Sequence, residues 1–169
     1  MRFFDKNLLI VLLSALFLAL SATYGICGQK ADVVLVTKSE RRLDLVNQNG
    51  IFASFPVTFG AKPVGHKKMQ GDERTPEGHY ILDYKNSNSK FYKSIHISYP
   101  NSEDRANARR RGVDPGGNIM IHGQKNGMGW ASPIAQFFLW TDGCIALSDK
   151  DMDQVWAAVD SGTPIEIKP

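Results

Sequence analysis

From residue 32 onward, apolar and branched positions fall in short runs separated by turn residues. Residues 33–37 and 43–47 are rich in valine and leucine, and Asn49-Gly50 is a hairpin signal ahead of a third run at 51–59. A loop rich in glycine, lysine and proline follows at 60–78, and strand patterns resume at 79–84, 94–99 and 118–122. Residues 101–117 are polar and contain Arg105, Arg109, Arg110 and Arg111. That stretch fits either a short helix or an ordered loop. Near the C-terminus the period changes. Ser148 is an N-cap with Asp151 three residues on, and Met152, Val155, Trp156 and Val159 share one helical face. Gly162 is placed to cap that helix, and Pro164 to stop it before a last strand at 165–167. The pattern predicts a mainly β domain, a mostly antiparallel sandwich or barrel-like sheet, with one packed helix at about 149–160.

The first 28 residues read differently. Arg2 and Lys6 precede an apolar run at 8–20, and Ser21, Ala22, Thr23 and Gly25 supply small residues after it. This is the layout of a secretory signal, with cleavage expected near residue 22 or 28 and a catalytic domain over 29–169. The 13-residue run is short of the ~20 that span a bilayer. Cleavage is therefore favoured over an anchor, and no stable membrane insertion is expected afterwards.

The 169 residues suit one domain, and the net charge of +3 is too mild to suggest a nucleic-acid partner. Export changes the meaning of the cysteines. Only Cys27 and Cys144 exist, and cleavage after Gly28 leaves one thiol in an oxidising compartment, where cysteines ordinarily pair. A reactive thiol is expected there, against the alternatives of a Cys27–Cys144 disulfide or an inert buried cysteine.

Two segments supply the chemistry: Ile119-Met120-Ile121-His122-Gly123 and Trp140-Thr141-Asp142-Gly143-Cys144-Ile145-Ala146-Leu147. A histidine ending a strand can take the proton of a thiol and return it to a leaving amine. Glycine before the cysteine permits a tight turn that exposes the N–H groups of Gly143 and Cys144 to an oxyanion. No zinc site is expected from the spacing of the histidines and Cys144, and no cofactor is called for.

In combination these motifs resemble the L,D-transpeptidase catalytic domain, the YkuD-type fold. Its His-Gly precedes a Ser/Thr-x-Gly-Cys by some twenty residues, as His122-Gly123 precedes Thr141-Asp142-Gly143-Cys144. Residues 71–78, Gly-Asp-Glu-Arg-Thr-Pro-Glu-Gly, resemble the family's Thr-Pro-x-Gly strand entry. Ile97-Ser98-Tyr99-Pro100-Asn101 and the segment after Asp114 resemble the branch that includes the YafK-type murein enzymes. One departure is Asp142, where many members carry a second histidine. It is expected to face solvent, the alternative being that it attracts a cationic acceptor. Papain-like and NlpC-type hydrolases place the cysteine before the histidine, and sortases need an arginine after it, which residues 145–169 lack.

The resemblance implies a peptidoglycan L,D-transpeptidase, periplasmic or secreted, acting at the cell wall. Cys144 is the implied nucleophile, His122 the general base and acid, and Gly143 an oxyanion donor, with Thr141 and Gly123 steadying the histidine. Stem peptides are the implied partners, together with a wall-anchored lipoprotein as a further acceptor. Arg105, Arg109, Arg74, Asp142 and Trp140 are the expected substrate contacts, the arginines because guanidinium groups grip carboxylates in a fork. Water as acceptor gives a hydrolase, and loss of catalysis gives a silent peptidoglycan-binding module.

Overall fold

The computed structural model describes residues 28–127 and 142–169. Period-two alternation turns one side of the longer strands inward. Strand β1 (Val33–Thr37) buries Val34 and Val36, β2 (Arg42–Asn47) buries Leu43 and Leu45, and β3 (Gly50–Pro56) buries Ala53 and Phe55. Asn47 pairs with Gly50 across the β2–β3 turn, where Gly50 takes φ +104°, a conformation that favours glycine. Strands β4 (Gly78–Asn86) and β5 (Ser94–Ile97) follow, then helix α1 (Ser102–Arg111), β6 (Met120–His122), β7 (Ile145–Ala146), helix α2 (Asp149–Ala158) and β8 (Thr163–Lys168).

These eight strands form one sheet in the order β3-β2-β1-β8-β4-β5-β6-β7. It is mixed, with β1/β8 and β6/β7 parallel and the other pairs antiparallel. The C-terminal strand lies between β1 and β4, which run oppositely, so it must be parallel to one of them. Beyond β3, Thr58 bridges Ala146 of β7 through two backbone bonds of 2.9 Å. That contact joins the two ends of the sheet and curls it into a barrel-like form around the core.

Helix α2 lays Met152, Val155 and Ala158 on that core, with Val159 just beyond and Trp156 partly buried against it. The Ser148 hydroxyl accepts the Asp151 N–H at 3.1 Å, as an N-cap does. The C-terminal reading needs correction: the helix is capped by Val159 in an extended conformation. Gly162 instead shapes the turn that follows, donating to the Leu82 carbonyl at 2.8 Å, and Pro164 lies inside β8 near its start.

The polar stretch after β5 is a helix, so the described residues hold a second helix besides the one expected near the C-terminus. Asn101 accepts the Glu103 and Asp104 N–H groups while Asp104 accepts the Asn101 N–H, a complete capping box, and Gly112 closes the other end at φ 66°. Only Asp104 and Ala108 of α1 are buried. Asp104 ties the helix to the sheet by accepting the Tyr80 hydroxyl and facing His66 Nε2, both at 3.0 Å.

Candidate active site

Parallel pairing of β6 with β7 sets Ile121 opposite Ile145 and His122 opposite Ala146. By that register Cys144, one residue before β7, stands beside Met120. The Met120 N–H donates to Cys144 Sγ at 3.4 Å, and the thiol reaches the Asn118 carbonyl at 3.6 Å. Sequence segments 118–123 and 142–147 thus meet through main-chain pairing.

His122 is buried, with the Phe91 ring 4.6 Å away between centroids. Its Nδ1 is 2.6 Å from the Gly123 carbonyl oxygen. A carbonyl only accepts, so Nδ1 carries the proton and Nε2 keeps its lone pair. Gly123 is held in turn. Its N–H donates to the Tyr92 carbonyl at 2.9 Å, and a Cβ there would lie 2.6 Å from that oxygen and 2.7 Å from Asp149 Oδ1. Gly143 is equally constrained: it takes φ +114°, and a Cβ would come within 2.3 Å of the Arg74 carbonyl oxygen. Only glycine meets both demands.

Burial pushes the His122 pKa down, against the hydrogen bond to Gly123 that favours the cation. Burial pushes the Cys144 pKa up, and the Asp142 charge adds to this, while the Met120 N–H and the Lys67 charge act the other way. Both shifts favour a neutral thiol beside a neutral imidazole at neutral pH. A neutral thiol of this kind needs a nearby base to take its proton before it can act as a nucleophile, and the free Nε2 of a neutral imidazole is chemically able to do so.

Cys144 opens onto two clefts. One, about 870 Å³, is lined by Lys67, Asp83, His96, Tyr99, Arg105, Asp114 and Asn118 among others. The second, about 580 Å³, is lined by Phe91, Ser94, Met120 and His122. Asn118, Asp142 and Cys144 border both.

A sequence model of the L,D-transpeptidase catalytic domain, named YkuD, matches residues 31–167. The chain belongs to the YkuD family. YafK of Escherichia coli (strain K12) is 28% identical over 132 residues, 75% of this chain and 46% of that protein. The helical cell shape determining protein Pgp2 of Campylobacter jejuni, as its K307A mutant, superposes with a TM-score of 0.63 at 26% identity, covering 84% of this chain and 49% of Pgp2. Bd1075 of Bdellovibrio bacteriovorus shares the fold at a TM-score of 0.57 and 24% identity, over 80% of this chain and 46% of that one. The chain spans about half the length of these relatives.

Among the residues singled out from the YkuD motifs, His122, Gly123, Asp142, Gly143 and Cys144 gather at this site. Asp142 is exposed at the mouth of both clefts. Arg105 lines the larger cleft, whereas Arg109 is exposed in the last turn of α1 and does not line it. Arg74 contributes its backbone behind Gly143, and its side chain borders a separate hollow with Lys62 and Lys68. Thr141 and Trp140 lie outside the described residues, as does the N-terminal segment with Cys27. Two residues at the site carried no sequence signal of their own: Phe91 sits between two strands, and Asn118 stands out only by its φ of 54° beside the thiol. Lys67 belongs to the basic run at 62–68, a cluster that suits a local anionic contact, and packing singles it out from its neighbours. Among the described residues no group of three or more His, Cys, Asp or Glu is gathered to hold a metal ion.

Proposed function

We propose that the chain is an exported cysteine acyltransferase, in which Cys144 and His122 carry out L,D-transpeptidation on peptidoglycan stem peptides. The observation that carries this reading is the His122 tautomer, fixed by the 2.6 Å contact of Nδ1 with the Gly123 carbonyl, in a cleft shared with Cys144. Cys144 Sγ attacks the carbonyl of the L-centre of the third-position diamino acid, and Nε2 of His122 takes the thiol proton. The tetrahedral oxyanion receives N–H groups of the Gly143–Cys144 turn, and collapse expels D-alanine with the proton from His122. A thioester remains. An amine resolves it, supplied by the side chain of another stem or by a lysine of a wall-anchored lipoprotein. Asp142 at the cleft mouth suits the approach of such a cationic acceptor, and Arg105 suits the donor carboxylates.

Residues 1–28 act as the secretory signal, and the mature enzyme works at the wall, in the periplasm or outside the cell. The direct test is mass spectrometry of disaccharide tetrapeptide incubated with the mature protein, with Cys144→Ala as control. The expected result is a cross-linked dimer with loss of D-alanine, absent with the variant. Tripeptide without dimer would make water the acceptor and the protein a hydrolase. No covalent chemistry at all would leave a peptidoglycan-binding module and overturn the reading.

A further inference from the structure

The larger cleft contains a buried cation that the family motifs do not account for. The Lys67 side chain is only 2% exposed, yet it lines the same cleft as Cys144. A buried ammonium needs acceptors, since an uncompensated one is expensive. Lys67 Nζ donates to Asp72 Oδ1 at 2.9 Å and to the Met69 carbonyl at 3.2 Å. An ammonium has three N–H groups, and among the described residues no acceptor takes the third.

Asp72 is not simply the counter-ion that cancels this charge. Its carboxylate also accepts the N–H groups of Lys68 at 2.6 Å, Met69 at 3.2 Å and Arg74 at 3.2 Å. Burial alone would push this carboxyl up, but the bonds from Lys68, Lys67, Arg74 and Met69 hold it below the usual carboxylate range. Much of its negative charge is thus met by backbone dipoles. Lys67 is left with positive character on the cleft wall and one N–H to give. The same loop supplies the Arg74 carbonyl behind Gly143, so the ammonium is rigidly placed relative to the Cys144 turn.

We propose that Lys67 is an anion-binding residue of the Cys144 cleft, beside Arg105, holding a carboxylate of the acyl donor through its remaining N–H. This rests on the reading of the cleft as a peptide site, and it assigns the ligand class as a carboxylate. Lysine suits the position because a compact ammonium fits between Asp72 and the cleft, where the planar fork of arginine would need more room.

The test measures charge selectivity at Cys144. Wild type, Lys67→Met and the double variant Lys67→Met with Asp72→Asn are alkylated with iodoacetate and with iodoacetamide at one pH. Taking the ratio of the two rates cancels any change in thiolate fraction, which alters both reagents alike. The double variant is decisive, because it removes both charges where the single one leaves Asp72 without its ion-pair partner. Its anion-to-neutral ratio should fall about three- to tenfold, the order expected of one partly screened charge at a cleft wall. A ratio unchanged in the double variant would mean that Lys67 only neutralises Asp72, and the proposal would be wrong. A second arm compares the stem tetrapeptide with one whose diamino-acid carboxyl is amidated. Amidation should raise KM for wild type and leave the double variant indifferent, whereas equal sensitivity in both overturns the assignment. If wild type turns over neither peptide, the peptide reading fails, and the alkylation ratio still decides whether Lys67 attracts anions.

Discussion

From β3 across to β4 the sheet is built of strands five to nine residues long, whereas β5, β6 and β7 have four, three and two. Long strands commit their amides and carbonyls to neighbouring strands. At the short end the backbone is released for other partners: the Gly123 carbonyl holds His122, and the Met120 N–H and Asn118 carbonyl face Cys144. Two buried lysines show the same contrast. Lys38, following β1, gives its ammonium to Glu77 at 2.7 Å and to the Gly65 and Thr75 carbonyls at 2.8 and 3.3 Å. All three of its N–H groups are met, and it acts as a cross-brace. Among the described residues Lys67 has two acceptors, with a cleft beside it. At Lys38 the ammonium is fully met within the protein, whereas at Lys67 one N–H has no acceptor among the described residues.

The largest expected effect separates the two ends by paired truncations. Cys144→Ala should cut turnover by at least about a thousandfold while moving Tm little. Leu45→Ala, at a fully buried β2 position, should cost about 2–5 kcal/mol of stability and leave turnover per folded molecule near wild type. Thermal melts and active-site-normalised rates check the pair. If Leu45→Ala lost as much specific activity as Cys144→Ala, the division would collapse.

Gly143→Ala should fail on both scales, because the site's turn is itself packed against Arg74. A methyl group 2.3 Å from the Arg74 oxygen cannot be housed without shifting the loop. Expected losses are about 1–3 kcal/mol of stability and about a hundredfold in turnover, as the N–H groups leave the oxyanion position. Wild-type turnover in this variant would remove the oxyanion role.

Titration sharpens the contrast further. His122 binds its proton less readily folded than unfolded. The stability it contributes is therefore present above the ordinary 6.5 and is lost as pH falls through the lower folded value. Cys144 binds its proton more readily folded, so its contribution is present below the ordinary 9.0 and is lost as pH rises through the higher folded value. The acid limb of kcat/KM should lie below pH 6.5, and thiol alkylation should inflect above pH 9.0. An acid limb at or above 6.5 would show that water reaches the His122 ring despite Phe91.

The smallest effect concerns the arginines of α1. Replacing Arg105 with Lys should lower kcat/KM severalfold, since it lines the cleft, while Arg109→Lys should leave it unchanged at the far end of the helix. Steady-state kinetics over a salt series would show whether any loss is more than screened attraction.

Local signals were legible wherever burial or backbone geometry constrained residue type. Alternation marked the strands, Ser148 and its apolar face marked α2, and glycine at 123 and 143 marked places without room for a side chain. Helix α1 was ambiguous because only Ala108 and Asp104 are buried in it. With no apolar stripe, its caps at Asn101 and Gly112 were the remaining signal. The placing of Gly162 as a cap failed because its φ of 97° serves the turn into β8 rather than the helix end. The candidate pair His122 and Cys144 was readable as residue types and spacing. Their meeting depended on parallel β6–β7 pairing and on Thr58 closing the sheet against Ala146, contacts between segments far apart in the chain. The sorting of the basic residues was likewise tertiary. Lys67, Arg74, Arg105 and Arg109 are alike as charges in a sequence, and only packing turns one toward the thiol and another to solvent. A side chain's charge is set by its identity, but its partners are set by which distant backbone comes to lie beside it.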